Sequence, residues 1–376
     1  MRVGIVTQPL INNYGGILQN YALQTILKRL GHEVLTIDYC CPSWIQWYDN
    51  AWRVLAHKIL GHNVSFSETP TERRRIEKPL RRFVKKHIDV TIPRTRFLEK
   101  KIIKRYVMDA LVVGSDQVWR PCYNAKINQC FLSFAKNMNL KRIAYAASFG
   151  TDKWEYTSKQ TKECASLARC FDAISVREAS GVSLCQEYLG VNATHVLDPT
   201  LLLTPDDYCS LCVGLPRKEP FVFAYILDQD EEKLRNIKSF AENMGLSYMI
   251  ISAGSKVRED DSIELWLSYF RDAAYVITDS FHGTAFSINF KKDFYVYTNE
   301  ERGNSRFDSL LELFDLKNRI IDNDIIKMEK IDWEIVEQKL ALERSKSIDY
   351  IKGNMNQGGV NRKLAFVSCI VKRMCA

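Results

Sequence analysis

The sequence predicts an α/β fold of two doubly wound, Rossmann-type domains of similar size. Three observations carry this. Short apolar, β-rich runs alternate with stretches whose apolar residues recur at helical spacing, the pattern of βαβ units in parallel sheets. The alternation comes in two series, separated by the Pro- and Gly-containing stretch Val213 to Pro220. A chain of 376 residues with 46% hydrophobic and 26% charged content suits two ordinary globular domains, not a disordered or fibrous chain.

In the first series Val3 to Thr7 is a strand, followed by a loop with Asn12, Asn13, Gly15 and Gly16. Leu18, Ala22, Leu23, Ile26, Leu27 and Leu30 then mark a helix face that ends at Gly31, a natural helix-terminating glycine. Val34 to Tyr39, Ala110 to Gly114, Arg142 to Ala147 and Ala173 to Val176 are further strands, and Asp198-Pro199 closes the domain. In the second series Phe221 to Leu227 is a strand, Glu231 to Met244 a helix and Ser247 to Ser252 a strand. Trp266 to Asp272 is helical, Tyr275 to Thr278 a strand, Thr284 to Asn289 the start of a helix and Phe294 to Tyr297 a strand. The domains predicted are 1–205 and 206–350, with a tail at 351–376 that packs back or touches a membrane.

Charge is uneven. Between Arg53 and Arg105 there are 16 Lys and Arg against 5 Asp and Glu, an excess of 11, so the remainder of a chain at +8 carries about −3. Ahead of most of these charges, Ser43 to Gly61 holds Trp44, Trp47, Tyr48 and Trp52. The region 43–105 is therefore a basic and aromatic insertion with two readings: a membrane-interface contact, or a cover for the domain core with a solvated basic face. The stretch Arg362 to Cys375 is also mixed basic and apolar. No run of 18 apolar residues is present, and Met1 to Thr7 reads directly as a strand with no secretory leader before it. A cytoplasmic protein is expected, with possible contact at the inner membrane face. The 11 scattered cysteines fit buried small hydrophobes in a reducing compartment, and the Cys209–Cys212 pair lacks the partners of a zinc site.

Glycine fingerprints for dinucleotides and for P-loop phosphates are missing, as are metalloprotease and α/β-hydrolase motifs. What remains is a set of small polar loops at strand ends, where such sheets gather ligands. The loops 8–19, 114–120, 148–154, 177–180, 252–258 and 278–284 are expected to face one inter-domain cleft. In order they carry Asn13-Tyr14-Gly15-Gly16 with Gln19, then Gly114-Ser115-Asp116-Gln117-Val118-Trp119, then Ala147-Ser148-Phe149-Gly150. Arg177-Glu178, Asp198-Pro199-Thr200 and Asp279-Ser280-Phe281-His282-Gly283 follow.

This order resembles the polysaccharide pyruvyl transferase family, from the first strand to about Tyr297. The resemblance implies a GT-B-like fold, two Rossmann-type domains with a cleft between them. It also implies transfer of an enolpyruvyl-derived group from phosphoenolpyruvate to a sugar, usually leaving a pyruvate ketal. Arg177-Glu178 matches the family's strand-end pair, and Arg177 is thereby implied to meet the donor. Ser280-Phe281-His282-Gly283 matches its Arg-Leu-His-Gly motif with serine in place of arginine. A serine cannot replace a guanidinium toward phosphate and carboxylate, so Arg306, with Arg302, is assigned the missing charge.

His282, titrating near neutrality, suits either proton role or phosphate binding. It is placed just before a helix start at Gly283, where backbone amides favour an anion. The donor site predicted is Arg177, Ser280, His282, Gly283, Arg306 and Arg302. Asp116 and Glu178 are the carboxylates expected to act as acid or base, with helix capping as the plainer role for Asp116. Asn13, Gly15, Gln19, Ser115 and Ser148 are assigned to sugar hydroxyls, and Trp119 to a sugar face or to the core. No cofactor and no metal is required, and phosphoenolpyruvate is a substrate. The expected partners are that donor and a lipid-linked sugar; the basic block carries none of the usual nucleic-acid motifs. Two other functions fit the same pattern: a nucleotide-sugar glycosyltransferase of this fold, and a carbohydrate-binding relative that has lost catalysis.

Overall fold

A computed structural model describes residues 1–40, 70–228, 230–252, 261–298, 305–321, 325 and 328–356. The aromatic stretch 43–61, most of loop 252–258, Arg302 and the tail 362–375 lie outside the described residues.

Two parallel sheets form, one per domain. The first contains β1 (Arg2–Val6), β2 (Glu33–Thr36), β3 (Ala110–Val113), β4 (Lys141–Ala147), β5 (Ala173–Val176) and β6 (Thr194–His195), in the order β2-β1-β3-β4-β5-β6. All its pairings are parallel; Val3 lies opposite Ala110 and Ile5 opposite Val112. The second contains β7 (Phe221–Tyr225), β8 (Ser247–Ile251), β9 (Tyr275–Thr278), β10 (Asp293–Tyr297) and β11 (Ile320–Ile321), in the order β11-β10-β9-β7-β8, again parallel throughout. β3, β4 and β7 are buried at every position; β3, β7 and β4 from Ile143 onward read as continuous apolar runs and not as alternating ones. This is the GT-B-like pair of Rossmann-type domains.

The domains are joined by more than a linker. Tyr14, the second residue of the Asn-Tyr-Gly-Gly loop, is fully buried against the second domain. Its ring stacks on Trp266 at 5.6 Å, and its hydroxyl donates to the Asp261 carbonyl at 2.9 Å. One hydrophobic cluster therefore runs from Val3 and Leu23 in the first domain to Phe223 and Phe270 in the second.

The helix Trp333–Asn356 crosses between domains, so residue 350 is not a boundary. Near its start Glu337 pairs with Lys291; further on Arg344 donates to the Leu201 carbonyl at 2.7 Å and Ser347 accepts from the Leu197 amide. Its end receives Lys141 of β4 on the carbonyls of Asn354 and Met355.

The basic stretch forms the helix Pro70–His87. Ile76, Leu80, Phe83 and Val84 are fully buried, and each such side chain is worth about 1.5–3 kcal/mol of burial. Arg74, Arg75, Lys78, Arg82, Lys85 and Lys86 stay exposed on the other side. The apolar face of this helix covers core and is not available to a bilayer. Arg81 turns inward and forks onto the buried Asp38 at 2.6 and 3.3 Å. No helix among the described residues is long and apolar enough to cross a membrane.

Candidate functional site

In each sheet the strand order reverses beside its first strand, and ligands gather in the crevice at the carboxyl ends there. In the first domain that crevice lies between β1 and β3; in the second it lies between β7 and β9. The two crevices open on one cavity of about 510 Å³. The first domain lines it with Gln8, Asn12, Asn13, Asp116, Gln117 and Tyr123, the second with Leu227, Asp279, Ser280, Phe281, His282 and Arg306.

Two helices begin at this cavity, one from each domain. The helix Tyr14–Arg29 is capped by Asn13, whose side chain accepts from the Gly16 amide at 3.0 Å. The helix Phe281–Asn289 is capped by Ser280, whose hydroxyl accepts from the Gly283 amide. The helix thus starts two residues earlier than sequence spacing suggests, because serine is a good N-cap. His282 lies inside its first turn, not ahead of it. The two starts touch: a Cβ on Gly15 would lie 2.1 Å from the Cγ and Nδ1 of His282. Only glycine lets the first domain approach the imidazole this closely.

His282 is almost wholly buried, and its Nε2 makes no hydrogen bond among the described residues. The nearest carboxylate oxygen paired with it is Oδ2 of Asp198, at 3.9 Å. Burial pushes the imidazole below its ordinary 6.5, against the pull of Asp198 and Asp116. At neutral pH the imidazole is therefore neutral, with its Nε2 buried on the side of Asp198.

Behind His282 lies a compact charge network. Arg177 donates to Asp198 Oδ2 at 2.8 Å, reaches Asp116 Oδ1 at 3.5 Å and stacks on the Phe281 ring at 4.3 Å. Asp198 also accepts from Ser115 at 3.1 Å and from the amide and hydroxyl of Thr200. Burial alone would raise its pKa; Arg177, His282 and these bonds bring it below the ordinary carboxylate value. Asp116 caps no helix. It sits at φ 70, in the left-handed region, with its carbonyl holding the Val118 and Ser148 amides and its carboxylate on the cavity wall. Asn13 donates to it at 3.4 Å.

Arg177 does not line the cavity; its charge is spent on Asp198 and Asp116. The cationic lining residue is Arg306, from the helix Ser305–Leu313, with its guanidinium 5.9 Å from the Phe281 ring centre. Burial, then the neighbouring Arg177, lower its pKa to about 10, so it stays charged at neutral pH and favours an anion. Ser280 and Arg306 thus lie on one cavity wall, the first as a cap and the second as the charge. Gly283 is pressed against Thr278, where a Cβ would stand 2.2 Å from the hydroxyl oxygen.

Several residues assigned to the site from sequence lie elsewhere. Trp119 is fully buried, stacked on Phe131 at 4.5 Å with its indole N–H donating to the Cys130 carbonyl, so it cannot face a sugar. Gln19 is fully buried and joins Thr7, Gly16 and the Ser115 amide, tying β1 to the loop after β3. Ser115 is committed to Asp198 and the Ala146 carbonyl, and Ser148 accepts from the Gly150 amide. Glu178 is buried, and its Oε1 accepts from the amides of Phe149 and Gly150, so it braces a loop and does not reach the cavity.

Other residues at the site carry no assignment from sequence, among them Gln8, Asn12 and Gln117 on the cavity wall and Asp198, Tyr123 and Asp279. Asp198 stands in the strand-end run Asp198-Pro199-Thr200, and its acidic side chain beside a proline-started turn was the available signal. Tyr123 follows Pro121 in a strand-end loop, the setting in which an aromatic is held at a surface. Asp279 lines the cavity, but its two oxygens accept from the Leu227 and Asp228 amides at 2.6 and 2.9 Å, so it fastens the β7 loop to β9. Among the described residues no group of His, Cys, Asp and Glu is placed to hold a metal ion.

The family model described as polysaccharide pyruvyl transferase matches residues 13–301. No curated protein matches the chain. Among solved structures, UDP-GlcNAc 2-epimerase from Methanocaldococcus jannaschii, in complex with UDP-GlcNAc and UDP, is 10% identical and aligns over 95% of this chain and 100% of its own, with a TM-score of 0.48. The S. aureus MnaA–UDP structure is 8% identical over 95% of this chain and 91% of its own, with a TM-score of 0.49. Spinosyn rhamnosyltransferase SpnG with spinosyn aglycone is 12% identical over 94% and 96%, with a TM-score of 0.38.

Proposed function

The chain belongs to the polysaccharide pyruvyl transferase family, and from that premise we propose that it moves the enolpyruvyl-derived group of phosphoenolpyruvate onto a sugar and closes a pyruvate ketal. The observation that carries this reading is the charged end of the cavity, where Arg306, His282 and two helix N-termini converge. A guanidinium and first-turn amides suit the phosphate and carboxylate of such a donor. A cavity of about 510 Å³ leaves room for a sugar beside a three-carbon donor.

The proton inventory suits one imidazole. Two acceptor hydroxyls each lose a proton and form C–O bonds to C2 of the donor. One proton ends on the donor's methylene carbon and the other on the released phosphate, whose C–O bond breaks. A neutral His282 that accepts a proton and returns it serves both transfers. Asp116 and Asp198 favour the imidazolium that forms between them, since both raise the His282 pKa. In this reading Asp116, which lines the cavity, stabilises the oxocarbenium-like centre at C2.

The acceptor in this reading is a sugar of a cell-surface polysaccharide, carried on a lipid at the inner membrane face. The exposed Arg and Lys row on the helix Pro70–His87 supports electrostatic contact with an anionic lipid surface, at about 1 kcal/mol per charge.

The test is incubation of the full chain with phosphoenolpyruvate and a panel of sugars, reading phosphate release and acceptor mass. The expected product is heavier by one pyruvate less one water, and His282→Ala gives none. Absence of both phosphate release and mass gain across the panel would sink the reading.

A further inference from the structure

The two walls of the cavity differ in chemistry. The second-domain wall holds Arg306 and His282. Apart from Asp116, the polar side chains of the first-domain wall are the neutral amides of Gln8, Asn12, Asn13 and Gln117. Beside them stands Tyr123, which is 53% exposed. Of the large apolar side chains exposed among the described residues, Tyr123 alone lines the cavity.

An exposed aromatic usually loses rotamer freedom when it binds something, which weakens binding. Tyr123 sits in a braced loop. Asn124 donates from one side-chain nitrogen to the carbonyls of Gln117, Val118 and Arg120, at 3.3, 3.0 and 3.4 Å. Gln8 donates to the Gln117 carbonyl at 2.9 Å from β1's loop. The Arg120 guanidinium lies 5.4 Å from the Tyr123 ring centre, and is itself held by Glu155 at 3.0 and 3.2 Å and by Gln117 Oε1 at 3.3 Å. The ring is thus set before any ligand arrives.

We propose that Tyr123 is a stacking platform for a hexopyranose unit of the acceptor, with the amides of Gln8, Asn12 and Gln117 meeting its hydroxyl edge. A pyranose ring presents an apolar C–H face and a polar rim, and it needs an aromatic plane with neutral donors and acceptors beside it. The first-domain wall supplies both, and Trp119, four residues earlier in the same loop, supplies neither because it is core. The identity of the sugar as acceptor rests on the transferase reading; the stacking itself does not.

The experiment separates the two. Binding of a panel of methyl hexopyranosides and their disaccharides to the full chain is measured by saturation-transfer NMR without donor, for wild type, Tyr123→Ala and Tyr123→Phe. Tyr123→Ala is expected to weaken saccharide binding about tenfold, the scale of an aromatic stacking contact. Tyr123→Phe, which keeps the ring, is expected to recover most of it, and phosphoenolpyruvate affinity should change less than about twofold in either, since its charged partners lie on the other wall. Saccharide binding that depends on Tyr123 without any phosphate release from phosphoenolpyruvate would uphold the platform and refute the transferase reading. Saccharide affinity unchanged in Tyr123→Ala, or a wild type that binds no saccharide of the panel, would overturn the platform.

Discussion

Gly15→Ala adds one methyl group to the junction of the two domains. Its Cβ would stand 2.1 Å from His282 Cγ, where ordinary contact begins at 3.4 Å, so the imidazole must retreat by at least the difference, about 1.3 Å. Two effects on stability oppose each other. Alanine is favoured over glycine in a helix by up to about 1 kcal/mol, and overpacking costs about 1–3 kcal/mol. The net loss is therefore about 0–3 kcal/mol, below the stability of an ordinary folded domain. Catalysis is less tolerant, because a misplacement of about 1 Å costs on the order of 100-fold. The expected outcome is a variant with a near-normal thermal melt whose phosphate release from phosphoenolpyruvate falls about 100-fold. Gly353→Ala, in the helix Trp333–Asn356 with nothing within 4 Å of its added Cβ, is the control and should keep full activity. A folded Gly15→Ala protein that turns over within about threefold of wild type would refute the claim that His282 works from the position it holds.

Arg306→Ala removes the cationic side chain of the cavity wall and should raise the Kd for phosphoenolpyruvate about 10- to 100-fold, the worth of hydrogen bonds to a charged group; titration calorimetry reads this directly, and an unchanged Kd would move the donor elsewhere. The pH profile tests His282. Burial holds its pKa below 6.5, so between the folded value and 6.5 the unfolded chain takes up a proton that the folded chain does not. Its contribution to stability is complete above about pH 6.5 and is lost as pH falls through that window; the melting temperature of His282→Asn should fall less steeply there. If His282 is the base, activity on its acid side should decline with a midpoint below 6.5, and Asp198→Asn should move that midpoint lower still, because Asp198 raises the His282 pKa. A midpoint that stays fixed in Asp198→Asn would remove Asp198 as a positioning residue.

The strands of both sheets were legible because a buried parallel strand is apolar at nearly every position, and β3, β7, β9 and β4 from Ile143 onward are such runs. The convergence of strand-end loops on one cleft was legible from topology alone. Side-chain direction was not. Gln19, Ser115, Ser148 and Trp119 share loops or helices with residues on the cavity wall, yet each turns inward to satisfy a buried backbone group or to fill the core. A polar residue at a strand end meets two demands, binding ligand and pairing backbone atoms stripped of water, and sequence spacing does not say which one wins. Loop 148–154 shows this plainly: its amides at Phe149 and Gly150 consume the carboxylate of Glu178, which removes both from the site at once.

Position 280 holds serine where the motif it resembles has arginine, and Arg306 lines the same cavity wall. A helix that starts at a binding cavity needs a cap, and an anionic ligand bound there gains from a cation beside it. Ser280 satisfies the first demand locally, through the Gly283 amide three residues on. Arg306 meets the second from another helix, 26 positions later, packed near the Phe281 ring that also carries Arg177. Phe281, where the family keeps leucine, is what the two guanidiniums share: a flat π face suits stacked cations in a way a branched aliphatic side chain does not. Serine at 280 and phenylalanine at 281 are therefore expected to depend on each other through Arg306. The double variant Ser280→Arg/Phe281→Leu should tolerate loss of Arg306 better than the native background does, and equal sensitivity to Arg306→Ala in the two backgrounds would separate the two substitutions again.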